Sequence, residues 1–594
     1  GWVLRRIDGD EGSNRGRNLM VGFHDTDDDA IRGGISRAWK ISKESEYAGA
    51  YEFKLKGRPF LAGGVDTVAA RQMVLGMCEE LERARGYLLS NTYTLSARQG
   101  SQSSLVFKIP SIGDDGYGRG GRSSTYLGIS LNSGDDIRLI PAPRQSLDFV
   151  ARDEIGRGIA KTWPRGIQKE GMYGKSYQWK LRGYPWLAEG TDTVDARMLV
   201  GRIIGIMQSL GFELMPKIDC SRKLADLSFM IFRRPPTALR TLPPPPVLCL
   251  SLHTYDRVRL TCTDTRVVKE VSSRVRASLG TPHLPVDVVE SSRWYGRALE
   301  FKISGWPFHG MVCSQTALAA GLIILTMIDA LRELGWELMA SLDVSGKLFA
   351  AAFAARVGTR TLVMLVVSVL VEEGGRALTV ESRYCMIFHC PFPSLFFAPQ
   401  WDASVGLCAL ALCGMGALYG LKCPEEVEQA VRNSLGRRHL KGDGLSDKAK
   451  GLHKFKLASK LWMANGKKTV EVRRVLMRMI EELQKVRWEV VEDVDMSRSG
   501  FLQMLILRRR EGDDFERPHR KDFVVGLHGS DDVRILCEDE ATRVFNITEA
   551  ARIGIESSWK IAREGDYGGA HEFVLKGRPF GSLGAIGEDS VKSC

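Results

Sequence analysis

Alternation of apolar and polar positions marks short strands along the chain. In Tyr51-Glu-Phe-Lys-Leu, the residues Tyr51, Phe53 and Leu55 fall on one side and Glu52 and Lys54 on the other, the period of a half-buried strand. A helical period follows. Ala196, Leu199, Ile203, Met207 and Leu210 advance by three or four residues, as do Val472, Leu476, Met479, Leu483 and Val486, and both stretches predict amphipathic helices. Ile155, Ile159 and Trp163 recur every four residues and predict a shorter helix over 153–163. Apolar runs over 126–132 and 137–140 flank Ser133-Gly134-Asp135-Asp136, a hairpin pattern whose turn residues tolerate tight backbone geometry. Its counterparts cover 248–260 and 523–536.

These patterns repeat. Tyr51-Glu-Phe-Lys-Leu-Lys-Gly-Arg-Pro-Phe60 returns as Tyr177-Gln-Trp-Lys-Leu-Arg-Gly-Tyr-Pro-Trp186, as Leu299-Glu-Phe-Lys-Ile-Ser-Gly-Trp-Pro-Phe308 and as His571-Glu-Phe-Val-Leu-Lys-Gly-Arg-Pro-Phe580, with a degenerate copy at 453–462. The aromatic anchors Phe53, Trp179, Phe301, Phe455 and Phe573 are 126, 122, 154 and 118 positions apart. Tyr87, Phe212, Trp336 and Trp488 follow the first four anchors at 34, 33, 35 and 33 positions, a regularity that implies homologous modules.

The expectation is an α+β chain of tandem, roughly 110-residue ββαβαββ modules, with both helices on one face of an antiparallel or mixed sheet. That packing leaves the face bearing Lys54 open to a partner. The expected boundaries are a preceding repeat's tail at 1–17, module 1 at 18–109 with an incomplete hairpin, a glycine-rich linker at 110–124, and module 2 at 125–234. A proline-rich linker follows at 235–246, then module 3 at 247–356, module 4 at 362–510 and a truncated module 5 at 522–594. With Gly1 first and no signal segment, the chain reads as a fragment from an intracellular, reducing compartment.

The long gap before Phe455 is assigned to an anomalous insertion over 383–421, taken as translated intervening sequence. Within it, 403–421 carries no charge and is the single candidate membrane span. Its position inside a module argues against spanning, because a bilayer would split the module's core.

Composition narrows the chemistry. Hydrophobic residues make up 44% and charged residues 26%, a globular balance that excludes a wholly disordered chain. Lys and Arg number 83 against 71 Asp and Glu, a surplus of +12. Of this, 14 basic against 3 acidic residues fall in 432–478, which makes a polyanion such as RNA, DNA or phosphoinositide the alternative ligand. No His-Glu-x-x-His, Gly-x-Ser-x-Gly or Cys-x-x-Cys motif occurs, so no catalytic residue, metal site or cofactor is assigned.

Candidate binding residues come from the repeat. Arg71, Arg197 and Arg473 lie in the first turn of the long helix, where the macrodipole disfavours a cation. Either Asp66 and Asp192 pair with them locally, or an anion or acidic peptide is held by the helix amides and the arginine. Threonines 67, 193 and 469 are expected to cap these helices. The lysines of the aromatic strand, Lys54, Lys180, Lys302, Lys454 and Lys456, join them with Lys460, Arg474 and Arg478 of the basic segment. The leading expectation is a non-enzymatic scaffold binding a protein or peptide through repeated surfaces. An enzyme with a composite site between modules is the further alternative.

Overall fold

The computed structural model describes residues 25–46, 51–57, 59–93, 104–108, 124–218, 227–240, 244–253, 256–279, 289–304, 307–309, 315–344, 384–389, 406–413, 416–446, 452–459, 461–463, 468–495, 502–510, 523–528, 532–536, 561–567 and 570–575. The first repeat contains α1 (Asp25–Ser36), β1 (Ile41–Glu46), β2 (Tyr51–Leu55), α2 (Asp66–Arg85), β3 (Leu88–Tyr93) and β4 (Ser104–Lys108). The second is a full module: β5 (Thr125–Asn132), β6 (Asp136–Pro141), α3 (Phe149–Thr162), β7 (Ile167–Tyr173), β8 (Ser176–Leu181), α4 (Asp192–Ser209), β9 (Glu213–Leu214) and β10 (Phe229–Arg234).

The third repeats that order with β11 (Val247–His253), β12 (Arg257–Cys262), α5 (Thr265–Ser278), β13 (Val289–Tyr295), β14 (Ala298–Ile303), α6 (Gln315–Glu333), β15 (Glu337–Asp343) and β16 (Tyr384–His389). The fourth has β17 (Leu407–Cys413), β18 (Ala417–Leu421), α7 (Glu425–His439), β19 (Leu440–Leu445), β20 (His453–Leu457), α8 (Lys468–Lys485), β21 (Trp488–Asp495) and β22 (Leu502–Arg509). Last come β23 (Phe523–His528), β24 (Asp532–Leu536), β25 (Ile561–Tyr567) and β26 (Ala570–Leu575).

The module is therefore ββαββαββ, one strand richer than expected. The missed strand is the first of each outer hairpin, as in β7, whose polar residues hide the alternation because most of them face solvent. Gly174-Lys175 forms the turn of that hairpin, with Gly174 at φ 57° and Ser176 Oγ donating to Tyr173 O. Each module's six strands are antiparallel throughout, in the order β7-β8-β6-β5-β10-β9 for the second.

The first sheet is completed from the far end of the chain. Its order is β1-β2-β24-β23-β4-β3, so the hairpin of the fifth repeat stands at the centre of this sheet, where the second, third and fourth sheets hold the hairpin of their own repeat. Glu52 lies opposite Arg534, and Val106 opposite Val524. Successive modules also touch. The long helix of each lies against the hairpin of the next: α2 on β5 and β6, α4 on β11 and β12, α6 on β17, and α8 on β23 and β24. Four sheets and their helices thus form a closed ring.

This stacking corrects the two-layer expectation, because the face bearing the strand lysines is covered in part by the preceding module's long helix. Burial on both faces explains why β5 is buried from Tyr126 to Asn132 and β6 throughout, the run of a doubly covered strand. It also corrects the assignment of 383–421. Tyr384–His389 is the last strand of the third sheet, paired with β11 and β15, and Leu407–Leu421 spans the hairpin of the fourth. The extra chain length lies between β15 and β16. The uncharged run over 403–421 supplies doubly covered strands, not a membrane span, and among the described residues no helix is long and apolar enough to cross a membrane. The tail at 1–17 and the linker over 110–123 lie outside the described residues.

Helix packing depends on small residues in the first module. A Cβ on Gly34 of α1 would sit 2.6 Å from the Gly76 backbone of α2, and one on Gly76 would sit 2.7 Å from Gly34 O. Glycine on both helices is what allows this crossing.

Candidate functional site at the module boundaries and ring centre

The boundary between modules 1 and 2 is built around two side chains from different repeats. Thr67 lies in the first turn of α2, and its hydroxyl donates to Gly64 O at 2.7 Å while accepting from Arg138 Nη1 of β6 at 3.1 Å. Arg138 Nε donates to Gln178 Oε1 at 2.7 Å, and its guanidinium lies 4.0 Å over the Tyr173 ring. The next boundary repeats this arrangement. Thr193 donates to Gly190 O and accepts from Arg259 Nη1 at 3.1 Å, and Arg259 lies 3.9 Å over the Tyr295 ring. Thr67 and Thr193 are thus not caps as expected: both sit inside the first turn, donate backwards and bind the neighbouring module.

Around Arg259 the network is charged. Its Nε donates to Glu300 Oε2 at 2.8 Å, and Glu300 also accepts from Arg257 at 2.5 Å and Arg293 at 3.0 Å. Burial pushes the Glu300 carboxyl up, but the Arg259 and Arg257 guanidiniums outweigh it and hold the group below its ordinary range. Arg259 Nη1 also approaches His253 Nδ1 at 3.1 Å, with Ser251 Oγ 2.8 Å from Nε2. Because arginine only donates, His253 carries its proton on Nε2 and gives it to Ser251.

The helix arginines are buried at these same boundaries, Arg71 to 4%, Arg197 to 3% and Arg473 to 5% exposure. Arg71 Nη1 donates to Thr67 O at 3.3 Å and its guanidinium lies 5.8 Å from the Phe229 ring of the next module. Arg197 Nη1 donates to Thr193 O at 2.9 Å. Arg473 Nε reaches Ser104 Oγ of the first sheet at 3.0 Å, and burial lowers its pKa to about 10. Local pairing with the preceding aspartate is not what the structure shows for Asp192, which binds Arg165 at 2.6 Å.

The strand lysines are scattered. Lys180 pairs with Asp135 at 2.6 Å, Lys302 with Glu290, and Lys454 lies 5.5 Å over the Tyr419 ring. Lys54 and Arg474 are half-buried, while Lys456 and Arg478 are exposed. Lys460 lies outside the described residues. The basic segment runs from α7 through β19 and β20 to α8, and several of its cations are paired internally, Arg432 with Asp443 and Arg438 with Glu471.

At the ring centre the innermost strand segments meet. Asn91 Nδ2 donates to Val490 O at 3.1 Å, Thr92 Oγ1 to Lys217 O at 2.6 Å, and Ser341 N to Glu492 Oε1 at 3.3 Å. Lys217 Nζ lies 4.0 Å from Asp493. Burial pushes the Glu492 carboxyl up to about 8, helped by Asp493 and opposed by Lys217. Burial thus disfavours the charged form of Glu492. Sequence reasoning missed this cluster, although Thr92, Lys217, Ser341 and Asp493 fall at corresponding places after the second aromatic anchor. Among the described residues, no three His, Cys, Asp or Glu side chains gather as a metal set.

The outer rim differs from the centre. Strands β1, β7, β13 and β19 end their sheets, and three carry a large apolar residue at one register: Met172 opposite Tyr177, Trp294 opposite Leu299, and Leu445 opposite His453. Their exposures are 64%, 46% and 77%.

These features define a repeat protein of tandem α+β domains closed into a ring. One domain family matches the chain five times, over residues 13–108, 125–233, 246–373, 408–513 and 522–594, and the chain belongs to that family. No curated protein and no solved structure matches it.

Proposed function

We propose that the chain is a non-enzymatic scaffold that binds extended peptide segments of protein partners along the outer strands of its ring. The observation that carries this reading is the recurrence of Met172, Trp294 and Leu445 at one register of three outer edge strands. An edge strand offers unpaired amides and carbonyls to an added strand, and an apolar side chain beside them gives that strand an anchor. Several weak edges on one rigid ring reinforce each other for a partner that spans them. The boundary arginines serve this reading by fixing the ring, not by touching ligand.

Selection of peptides displayed in extended form against the full chain tests the proposal. Peptides of alternating apolar pattern should bind, and Met172→Asp, Trp294→Asp and Leu445→Asp together should abolish binding while the melting temperature holds. Retained binding in the triple variant would remove the edges from the account. Salt-sensitive binding of RNA, DNA or acidic vesicles, lost in Lys456→Glu with Arg478→Glu, would favour the polyanion reading instead.

A further inference from the structure

The closing hairpin has two possible outer partners, and they are nearly the same sequence. In the second, third and fourth sheets, the second hairpin strand pairs with a strand of its own repeat: β6 with β8, β12 with β14, β18 with β20. The fifth repeat breaks this rule. Its β24 pairs with β2 of the first repeat, while its own β25 and β26 pair with each other as a separate two-stranded sheet.

The displaced hairpin is built to fit the same place. Gly569-Ala-His-Glu-Phe-Val-Leu-Lys-Gly-Arg-Pro-Phe580 matches Gly49-Ala-Tyr-Glu-Phe-Lys-Leu-Lys-Gly-Arg-Pro-Phe60 at 10 of 12 positions. The backbones agree as well. Glu564 lies opposite Phe573 as Glu44 lies opposite Phe53, and both hairpins shift register at the same step, between Ile561 and Arg563 and between Ile41 and Lys43. A bulge at one fixed place re-aims the strand and pins its register, so the two hairpins present equivalent edges to β24.

We propose that β25–β26 and β1–β2 exchange on the edge of β24 within one chain. In one state the first repeat's outer half completes the first sheet and the fifth repeat's stands aside. In the other these roles are reversed. The pairing with β24 is alike in both, so the difference between the states lies in Tyr51 against His571 and Lys54 against Val574 on the strand that meets β24, in the substitutions between β1 and β25 behind it, and in the chain connections. The ring stays closed in both, because β23 remains paired with β4.

Disulfide trapping in the full chain reads the two states directly. Residues opposite each other in an antiparallel pair lie within disulfide reach. Glu52→Cys with Arg534→Cys should trap the state seen here, since these residues face each other. Glu572→Cys with Arg534→Cys should trap the exchanged one, as an intramolecular link identified by peptide mapping on the monomer. Failure of the second pair to link, with complete linkage of the first, would overturn exchange. A 572–534 link found only between two chains would also overturn it, in favour of assembly between copies.

Hydrogen exchange of chains with Arg534 intact gives a second reading that no cysteine affects. Phe573→Asp should raise protection of 51–55 several-fold by removing the competitor, and Phe53→Asp should transfer protection to 570–575. Unchanged protection of both segments in both variants would end the proposal.

Discussion

The boundary between modules 2 and 3 and that between modules 3 and 4 occupy the same place in the repeat and use opposite chemistry. At the first, Arg259, Thr193, Tyr295 and Glu300 form a buried polar set. At the second, the charged strand members have changed: Tyr419 stands where Arg259 would and Lys454 where Glu300 would, while, counted from the start of the long helix, Ala320 replaces Arg197. What remains is Tyr419 buried with Leu421, Met504 and Ile506 against the apolar residues of α6, Lys454 over its ring, and Lys422 bound to Asp329 at 3.0 Å. Members of a buried polar set change together, because removing one leaves the others unsatisfied. The difference also specifies order. Placing α4 against the fourth module would bury Thr193 facing a tyrosine instead of its arginine donor.

The most damaging test of that contrast is Tyr419→Arg, which puts a guanidinium in the apolar boundary without its carboxylate or threonine. A loss of about 3 kcal/mol or more is expected in urea titration, and a loss below about 1 kcal/mol would mean that the boundary tolerates either chemistry. Arg259→Ala should come next, at about 2–4 kcal/mol, because Glu300 keeps Arg257 and Arg293 as partners. Arg259→Lys should restore little of it, since one ammonium cannot serve Glu300, Thr193 and His253 at once.

The pH dependence separates the polar boundary from the centre. Glu300 has a lowered pKa, so its contribution is present above the ordinary value of 4.5 and is lost as pH falls through the folded value. Glu492 behaves in the opposite sense. Its pKa is raised to about 8, so its contribution is full below 4.5 and is lost as pH rises towards 8. Glu492→Gln should flatten the melting temperature between pH 5 and pH 8, and Glu300→Gln should flatten it only below that range. The smallest effect belongs to Lys454→Met, at about 0.5–1 kcal/mol for the lost cation–ring contact.

Much of the module was legible because its strands and helices carry different periods. The hairpins at 126–140, 248–260 and 523–536 and the long helices lie where the patterns place them. Strands such as β7 escaped because an outer edge strand has little apolar face to show. The fourth hairpin was misread for the opposite reason: Leu407–Cys413 and Ala417–Leu421 are covered on both sides, lose their alternation and resemble foreign sequence. The site was hidden more deeply. Arg138 and Arg259 recur at one place in the hairpin, but their partners Thr67 and Thr193 belong to the preceding repeat, and only the stacking of modules brings them together.

The closing hairpin sets the order in which the protein can be made. As the chain leaves the ribosome, the second sheet can form once β10 has emerged, then the third and the fourth, each from neighbouring sequence. The first sheet must wait. Its central pair, β23 and β24, is synthesised after the second, third and fourth sheets are complete, so β2, β4 and the helices beside them wait until 523–536 is made for the strands they flank. The entropy of joining ends so far apart grows only with the logarithm of the intervening length, and an already folded arc of modules shortens that search further. The strands of the first repeat are therefore placed later than those of the second, third and fourth, and a nascent chain stopped before residue 523 would hold three finished sheets and one open one.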